Sequence, residues 1–347
     1  MNQPVIDLRN AREAYYQQLK ALSMTPLWEL MSALVPEKPR SPCVPYLWRY
    51  DEVKPWLMES GRLISAKEAV RRVLILENPG LPGSSAITQS LYAGLQLILP
   101  GEVAPSHRHT QSALRLIVEG NGAYTAVEGE RVTMYPGDFI ITPSWTWHDH
   151  GNEAREPVVW LDGLDIPIVR FLDCGFAENY PEDSQPVSRN EGDALARYGS
   201  NLLPIEYAPP ANGASPVFAY PYGRTRETLE HLSRNGPPNA AHGYKMQYIN
   251  PATGGYPMPS IATFVQWLPK DFDGKSYRST DGAVFSVIEG EGSVSIGDHR
   301  FAFKPRDTFV VPAWHPYSLR TQGGTVLFSF SDRPLQRNLG LWREEVL

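Results

Sequence analysis

Short, largely apolar segments separated by turn residues dominate the chain beyond residue 90. Four of them, Leu95–Leu99, Leu114–Glu119, Gly122–Val127 and Asp138–Thr142, have the length and composition of β-strands. Pro-Gly, Gly-Asn-Gly and Glu-Gly turns lie between them, and short strands at this spacing are typical of barrels. We therefore predict that residues 90–170 form a jelly-roll-like β-barrel.

The N-terminal part of the chain has a helical pattern instead. Apolar and aromatic side chains recur at close to 3.6-residue spacing from Asn10 to Leu22, and a second apolar run follows Pro26. A proline-rich stretch, Pro36–Pro45, separates these helices from strand-like residues that begin at Val73. The sequence predicts a helical arm and a first strand over residues 1–89.

The C-terminal part, residues 256–347, repeats the pattern of the predicted barrel. Val287-Ile-Glu-Gly-Glu-Gly matches Ile117-Val-Glu-Gly-Asn-Gly, and Pro305-Arg-Asp-Thr-Phe-Val-Val-Pro matches Pro136-Gly-Asp-Phe-Ile-Ile-Thr-Pro. An internal repeat of this kind indicates two copies of one fold. We expect a second β-barrel there.

A long connection joins the two predicted barrels. Residues 171–255 are rich in Pro, Asn and Gly and contain one helical segment, Arg224–Arg234. The length of 347 residues exceeds that of a usual single domain. The sequence thus predicts a mainly β protein with an arm at 1–89, barrels at 90–170 and 256–347, and a connection at 171–255.

Composition and charge exclude several classes of partner. The formal net charge is -6 and no run of Lys or Arg occurs, which disfavours a nucleic-acid partner. The two cysteines, Cys43 and Cys174, cannot form a disulfide framework. No apolar run reaches the roughly 18 residues of a membrane span, and the first ten residues carry no apolar signal core. We expect a cytoplasmic protein without a membrane partner.

Three histidines in the first predicted barrel indicate a metal site. His107 and His109 are two positions apart on a predicted strand, so both project from one face while Arg108 projects from the other. His148 follows about one β-hairpin downstream. We expect the three imidazoles to bind one metal ion.

The second barrel lacks these ligands. The positions that match His107 and His109 fall among Ser276–Ser279, and Tyr317 matches His148. We therefore expect one metal ion per chain, in the first barrel. The remaining histidines His231, His242 and His299 have no partners in the sequence and are expected at the surface.

A site of three imidazoles is neutral, so a divalent ion keeps its full charge and up to three open coordination positions. Such a site favours an anionic, chelating substrate. Nitrogen ligands with open positions suit Fe(II) oxygen chemistry, although zinc, manganese, nickel and copper also bind three imidazoles. The residues alone leave the identity of the metal open.

The histidines lie in sequence motifs that resemble those of the cupin superfamily. Five residues separate Gly101 from His107-x-His109, and Gly137 begins the second motif, which ends at His148 and Asn152. The chain departs from the cupin pattern in two ways: Ala113 and Leu114 stand where a glutamate ligand is usual, and Trp145 stands where a glycine is usual. The resemblance implies a bicupin, with a second cupin that lacks the metal ligands.

Longer segments resemble the gentisate 1,2-dioxygenases over nearly the whole chain. They are Pro45–Tyr50, Pro105–Arg115, Trp147–Asn152 and Trp160–Asp165. The resemblance implies an Fe(II) enzyme that uses dioxygen to open gentisate between the carboxyl-bearing carbon and the adjacent hydroxylated carbon, giving maleylpyruvate. It also implies a homo-oligomer, a tetramer in this family.

The resemblance assigns roles to individual residues. His107, His109 and His148 correspond to the iron ligands. Arg115 is expected to bind the substrate carboxylate, because alternation along its strand places it on the inward face. The resemblance adds Arg71 and Gln96 to the substrate side and His150 and Asp162 to the catalytic groups, with Asp162 orienting a histidine such as His150.

Other interpretations of the residues stay open. Arg115 could pair with an acidic neighbour, and His150 with Asp162 could form a structural hydrogen-bonded pair. The substrate could be salicylate or 1-hydroxy-2-naphthoate in place of gentisate. A third possibility, from another class, is a non-oxidative bicupin that works as an isomerase or a ligand-binding protein.

Overall fold

The computed structural model describes residues 8–347. The chain divides into two compact units, one ending at Arg40 and the other covering Ser41–Leu347. The first unit contains two helices, in which no residue is buried. Within the described residues, no helix is both long enough and apolar enough to cross a membrane.

Strands outnumber helices, which confirms the predicted mainly β fold with an N-terminal helical arm. The helices are α1 (Leu8–Ala21), α2 (Leu27–Leu34), α3 (Tyr50–Leu63), α4 (Ala66–Ala69), α5 (Ile166–Phe171), α6 (Asp193–Tyr198), α7 (Tyr222–Arg234) and α8 (Arg333–Asn338). The strands are β1 (Tyr46–Trp48), β2 (Val73–Ile75), β3 (Tyr92–Ile98), β4 (Val103–His109), β5 (Ala113–Glu119), β6 (Ala123–Val127), β7 (Glu130–Thr133), β8 (Phe139–Thr142), β9 (His148–Asn152), β10 (Val158–Leu164), β11 (Ala177–Asn179), β12 (Ala219–Tyr220), β13 (Tyr244–Gln247), β14 (Ala262–Leu268), β15 (Tyr277–Ser279), β16 (Ala283–Glu289), β17 (Gly292–Ile296), β18 (His299–Phe303), β19 (Thr308–Val311), β20 (Tyr317–Arg320), β21 (Thr325–Ser331) and β22 (Glu344–Val346).

Each barrel consists of one six-stranded and one five-stranded sheet. The sheets of the first barrel have the orders β12-β8-β5-β10-β3-β2 and β11-β4-β9-β6-β7. Those of the second have the orders β1-β19-β16-β21-β14-β13 and β18-β17-β20-β15-β22. The correspondence of the two six-stranded sheets confirms the internal repeat, and all the named strand pairs in these sheets are antiparallel.

Edge strands of the two barrels come from outside the predicted barrel segments. β1 precedes the first barrel in sequence but pairs with β19 of the second. β12 lies in the connection and pairs with β8 of the first barrel. The four-part division of the chain stays a prediction, to which the structure adds that the arm segment and the connection each complete a barrel.

Both faces of the six-stranded sheet in the first barrel are buried. Alternate residues such as Leu114 and Leu116 pack in a core shared with Phe328 and Phe330 of the second barrel. The residues between them face the inside of their own barrel, where Ile117 packs in a separate cluster. Because side chains alternate along a strand, each strand here contributes to two cores at once.

Helix α3 links the two barrels through its first residue. The backbone N–H of Tyr50 donates to Asp307 Oδ1 of the second barrel at 2.8 Å, and its hydroxyl donates to Glu119 Oε2 of the first barrel at 2.8 Å. A carboxylate at a helix N-terminus satisfies an N–H that has no partner within the helix. The equivalent contacts of α7 are Tyr222 N–H to Asp138 Oδ1 at 2.8 Å and the Tyr222 hydroxyl to Glu289 Oε1 at 2.5 Å.

The close contact between the barrels predicts that Gly163→Ala destabilises the protein. A Cβ at Gly163 would lie 2.8 Å from Phe330 Cε2 and Cζ and 3.0 Å from Leu114 Cγ, and both residues are in the shared core. We expect the free energy of unfolding to fall by about 1–3 kcal/mol, as for overpacked cores. Gly223→Ala is the matched control, because nothing lies within 4 Å of a Cβ there. Equal urea midpoints for the two variants would contradict the proposed close packing.

Candidate metal centre

The three histidines predicted as ligands meet inside the first barrel. His107 and His109 lie on β4 and His148 on β9, with His107 directly opposite His148 in the antiparallel pair. The ring centroids are 4.3, 4.9 and 5.1 Å apart. One ring nitrogen from each histidine lies within 4.8 Å of those of the other two. This spacing allows the three nitrogens to bind one ion.

Backbone carbonyls fix the orientation of the three rings. His148 Nδ1 lies 2.9 Å from Thr146 O, His109 Nδ1 lies 2.9 Å from Gln111 O, and His107 Nδ1 lies 3.2 Å from Pro105 O. A carbonyl only accepts, so the Nδ1 atoms of His109 and His148 carry the proton and their Nε2 atoms keep the lone pair. His107 Nδ1 also contacts Arg71 Nη2, which only donates. His148 Nε2 is buried without a hydrogen-bond partner. The donor set therefore fits a metal ion.

The imidazoles are held neutral at physiological pH. Burial lowers the pKa of His107 to about 3, with further contributions from Arg71 and His109. Burial lowers the pKa of His109 to about 4, and that of His148 lies well below its ordinary value. A metal ion binds the neutral form of histidine, so it displaces no proton from these rings.

A buried ion pair lies on the sheet facing the histidines. Arg115 on β5 is directly opposite Asp162 on β10, with 3.5 Å between Nε and Oδ1. Both residues are 4% exposed. Arg115 also donates to Thr142 Oγ1 at 3.0 Å, but its Nε has no hydrogen-bond partner. Its guanidinium thus keeps capacity for another anion.

Asp162 balances this arginine rather than orienting a histidine. It accepts a hydrogen bond from Trp160 Nε1 at 3.0 Å, and burial raises its pKa to about 6 despite the opposing charge of Arg115. His150 has a different partner, because its Nδ1 lies 2.9 Å from Thr125 Oγ1. The expectation that Asp162 orients His150 is therefore wrong. The two residues belong to different sheets, and Thr125 is the neighbour opposite His150 in the antiparallel pair of β6 and β9.

Arg71 and Gln96 border the same interior. Arg71 Nη2 donates to Pro105 O at 2.6 Å and also contacts His107 Nδ1. Burial, and then the charge of Arg115, lowers the pKa of Arg71 to about 10. Gln96 is 3% exposed on β3. It faces the barrel interior together with the residue opposite it, Trp160.

His150 is the most isolated polar group near the histidines. It is 0% exposed, and its Nε2 is buried without a hydrogen-bond partner. Its ring lies 5.9 Å from that of His148 and 5.4 Å from that of Trp160. A buried ring nitrogen without a partner can donate to or accept from a hydroxyl group of a bound molecule.

Sequence reasoning missed three residues that support this site. Thr125, Thr142 and Trp160 hold His150, Arg115 and Asp162 respectively. Alternation along their strands would have placed them on the inward face. Alternation does not indicate which residue each of them contacts, because that depends on how distant strands pair.

The two departures from the cupin pattern have structural counterparts. Trp145, where a glycine is usual, has φ +63°, the left-handed conformation that glycine adopts without cost. Its backbone N–H donates to His109 O at 2.8 Å, and Arg108 lies 4.6 Å from its ring. At the usual glutamate position, Ala113 and Leu114 are buried in the barrel wall. The turn geometry is thus kept while the carboxylate ligand is absent.

The second barrel has no such group of ligands among the described residues. Tyr277 lies opposite Tyr317, in the register that His107 and His148 have in the first barrel. His231 and His299 are exposed, as expected. The expectation for His242 is wrong: it is partly buried, and its ring packs 4.4 Å from that of Tyr277. His242 is covered because the connection packs against the second barrel there.

Comparisons with known proteins agree with this architecture. The family model for the cupin domain matches residues 94–164, which include all three histidines. Gentisate 1,2 dioxygenase 1 of Aquipseudomonas alcaligenes is 55% identical over 96% of each chain, and gentisate 1,2-dioxygenase of a Streptomyces species is 37% identical over 96% of this chain and 95% of its own. The crystal structure of salicylate 1,2-dioxygenase from Pseudoaminobacter salicylatoxidans, an adduct with gentisate, superposes with a TM-score of 0.91 at 33% identity, covering 100% of this chain and 95% of the other. On this evidence the chain belongs to the gentisate 1,2-dioxygenase family.

Proposed function

We propose that the protein is an Fe(II)-dependent dioxygenase that opens the ring of gentisate, 2,5-dihydroxybenzoate, with dioxygen. Cleavage falls between the carboxyl-bearing carbon and the adjacent hydroxylated carbon and gives maleylpyruvate, a step of aromatic catabolism. The observation that supports this most directly is the group of three neutral imidazoles without a carboxylate, next to buried arginines. Family membership supports the substrate and the reaction.

The charge of the site favours an aromatic acid. Arg71 and Arg115 bring two positive charges into the interior, and Asp162 is the only acidic side chain with which Arg115 forms an ion pair within the described residues. A divalent ion on neutral ligands would add two more positive charges. A carboxylate with a neighbouring hydroxyl group offsets this excess.

Side chains cannot pass electrons from an aromatic ring to dioxygen, and a bound metal ion would supply this chemistry. Fe(II) on the Nε2 atoms of His107, His109 and His148 would offer open positions for the acid and for dioxygen and would relay electrons between them. The other proposed roles belong to the protein itself.

Arg115 is proposed to bind the substrate carboxylate through the part of its guanidinium that Asp162 and Thr142 leave free, and Arg71 to support it from the side of His107. Asp162 and Thr142 would hold Arg115 in place. His150 Nε2 would exchange a hydrogen bond or a proton with the ring hydroxyl farthest from the carboxylate. Gln96 would limit the space beside the ring. Burial around all of these groups excludes water, which strengthens each charged contact.

Assembly and location are also proposals. Helices α1 and α2 bury no residue, and Leu27, Trp28 and Leu34 are exposed at 51%, 62% and 63%. Such apolar surface is typical of protein contacts. We propose a homo-oligomer, a tetramer as in the family, in the cytoplasm, where the unpaired thiols of Cys43 and Cys174 stay reduced.

His148→Ala tests the metal site. Removal of one of three ligands should lower bound iron from one per chain to near zero after anaerobic reconstitution, and oxygen consumption should cease. Iron is measured by plasma mass spectrometry and the fold by circular dichroism. His299→Ala, at an exposed position, should keep full iron. Loss of the fold in His148→Ala would mean that the histidine is structural.

Arg115→Met tests carboxylate binding. Loss of a charge-assisted contact should lower kcat/KM for gentisate roughly 10- to 100-fold while iron content is unchanged. The exposed Arg155 provides the control Arg155→Met, which should behave like the unmodified protein. Unchanged kinetics in Arg115→Met would show that Arg115 serves only its pair with Asp162.

Oxygen uptake on three acids tests the substrate. The iron-loaded protein should consume one dioxygen per gentisate and produce maleylpyruvate, seen by mass spectrometry, with salicylate and 1-hydroxy-2-naphthoate turned over more slowly. Salicylate turnover as fast as that of gentisate would contradict the narrow substrate assignment. Stoichiometric zinc and no oxygen consumption with Fe(II) would favour a non-oxidative bicupin instead.

A further inference from the structure

The second barrel contains a lysine where the first has an apolar residue. On β13, Lys245 lies opposite Gln266 of β14. The corresponding pair in the first barrel is Val73 of β2 and Gln96 of β3. At this position the second barrel thus contains a cation that the first barrel lacks.

Lys245 has no anionic partner. Within residues 8–347, no group accepts a hydrogen bond or forms an ion pair with its Nζ, which lies 4.8 Å from the ring of Phe264 and 5.8 Å from that of Phe285. Burial, and then the charge of Arg333, lowers the pKa of Lys245 to about 7, although Asp281 and Glu344 act in the opposite direction. Lys245 is only partly exposed, and an ammonium that has lost part of its hydration without gaining a partner is costly to the folded state.

Arg333 adds a second cation beside Lys245. Its Nε pairs with Asp281 Oδ2 at 3.0 Å, and the two side chains are 14% and 1% exposed. The guanidinium carbon lies 4.9 Å from the ring centroid of Phe264 and 4.8 Å from that of Trp342. This arrangement fixes a planar donor group and leaves its terminal nitrogens outside the pair with Asp281.

The carboxylates near this site have other partners. Asp281 accepts hydrogen bonds from Arg333 and Trp342, and Glu344 accepts one from the Tyr277 hydroxyl at 2.7 Å. Asp332, next to Arg333, accepts one from Gln336. His242 is neutral, because burial lowers its pKa to about 3, and its Nδ1 is buried without a partner. Tyr317 and His315 line the inner side, and the exposed Arg337 lines the outer cleft.

These residues border an open cleft of about 430 Å³. That volume suits a small organic molecule. The inner side of Lys245 and Arg333 borders a cavity of only about 10 Å³, roughly the space of one water molecule. A ligand would therefore reach the two cations from the outer cleft. Its lining includes His242, Lys245, Phe264, Arg333, Trp342 and Glu344.

We propose that this cleft of the second barrel binds a small organic monocarboxylate, with its carboxylate on Lys245 and Arg333 and its apolar part beside Trp342. The site is separate from the metal centre and does not depend on the proposed reaction. A carboxylate in the cleft would be the anionic partner that Lys245 Nζ lacks. Binding would raise the pKa of Lys245, so the complex takes up a proton above about pH 7 and weakens as the pH rises further.

Calorimetric titration of the iron-loaded protein with 4-bromobenzoate tests the proposal. We expect one binding event per chain that is absent or about tenfold or more weaker in Lys245→Met and is kept in Lys245→Arg and in the exposed control Lys275→Met. At pH 7.5, the heat should differ between two buffers of different ionisation enthalpy, which reports proton uptake. Any binding at the metal centre is followed separately, as inhibition of gentisate turnover.

The position of the bromine in the crystal is the second measurement. An anomalous peak beside Lys245, together with the binding event in solution, supports the proposal. Equal titrations for the unmodified protein and Lys245→Met would overturn it, as would bromine only at the metal centre or binding at crystal concentration only. Gentisate turnover should be unchanged in Lys245→Met, and failure of turnover in every variant would count against the proposed function alone.

Discussion

The burial of both faces of the six-stranded sheets is the constraint on which the rest of the molecule depends. One face of each sheet packs in a core that the two barrels share, which includes Leu114 and Phe330. The other face closes the interior of its own barrel. Because strand side chains alternate, a strand that fixes the shared core also fixes the inward residues. Arg115 lies in this way between the core residues Leu114 and Leu116, and Asp162 follows the core residue Leu161, so their positions follow from the packing of the barrels.

In the interior of the first barrel, the protonation state of each histidine, arginine and aspartate depends on burial and on the charges of its neighbours. Burial keeps the three imidazoles neutral, while Asp162 offsets part of the charge of Arg115. Had the site contained a carboxylate ligand, the charge left for an anionic substrate would be smaller by one unit. In the second barrel, Tyr277 and Tyr317 stand in the register of His107 and His148. The charged groups of that barrel lie around Lys245 and Arg333 instead.

The sequence alone predicted those features that depend on local spacing. The two-residue interval of His107 and His109 places both on one face, and the repeat predicted two barrels. Contacts between distant strands could not be derived in this way. The pairing of His150 with Thr125 depends on the alignment of β6 with β9, and the burial of His242 depends on how the connection packs. Neither leaves a periodic signal in the sequence, because each is set by long-range packing.

The exchange of edge strands has a consequence for the order in which the chain folds. β1 is synthesised before either barrel, yet its partner β19 belongs to the last quarter of the chain. The hydrogen bond of Tyr50 likewise cannot form until Asp307, 257 residues later, has been synthesised. The first barrel likewise lacks its edge strand β12 until the connection has been synthesised. During translation, the first β-strand to emerge is therefore among the last to pair. The second barrel is complete only when β1, from the start of the chain, has paired with β19 near its end.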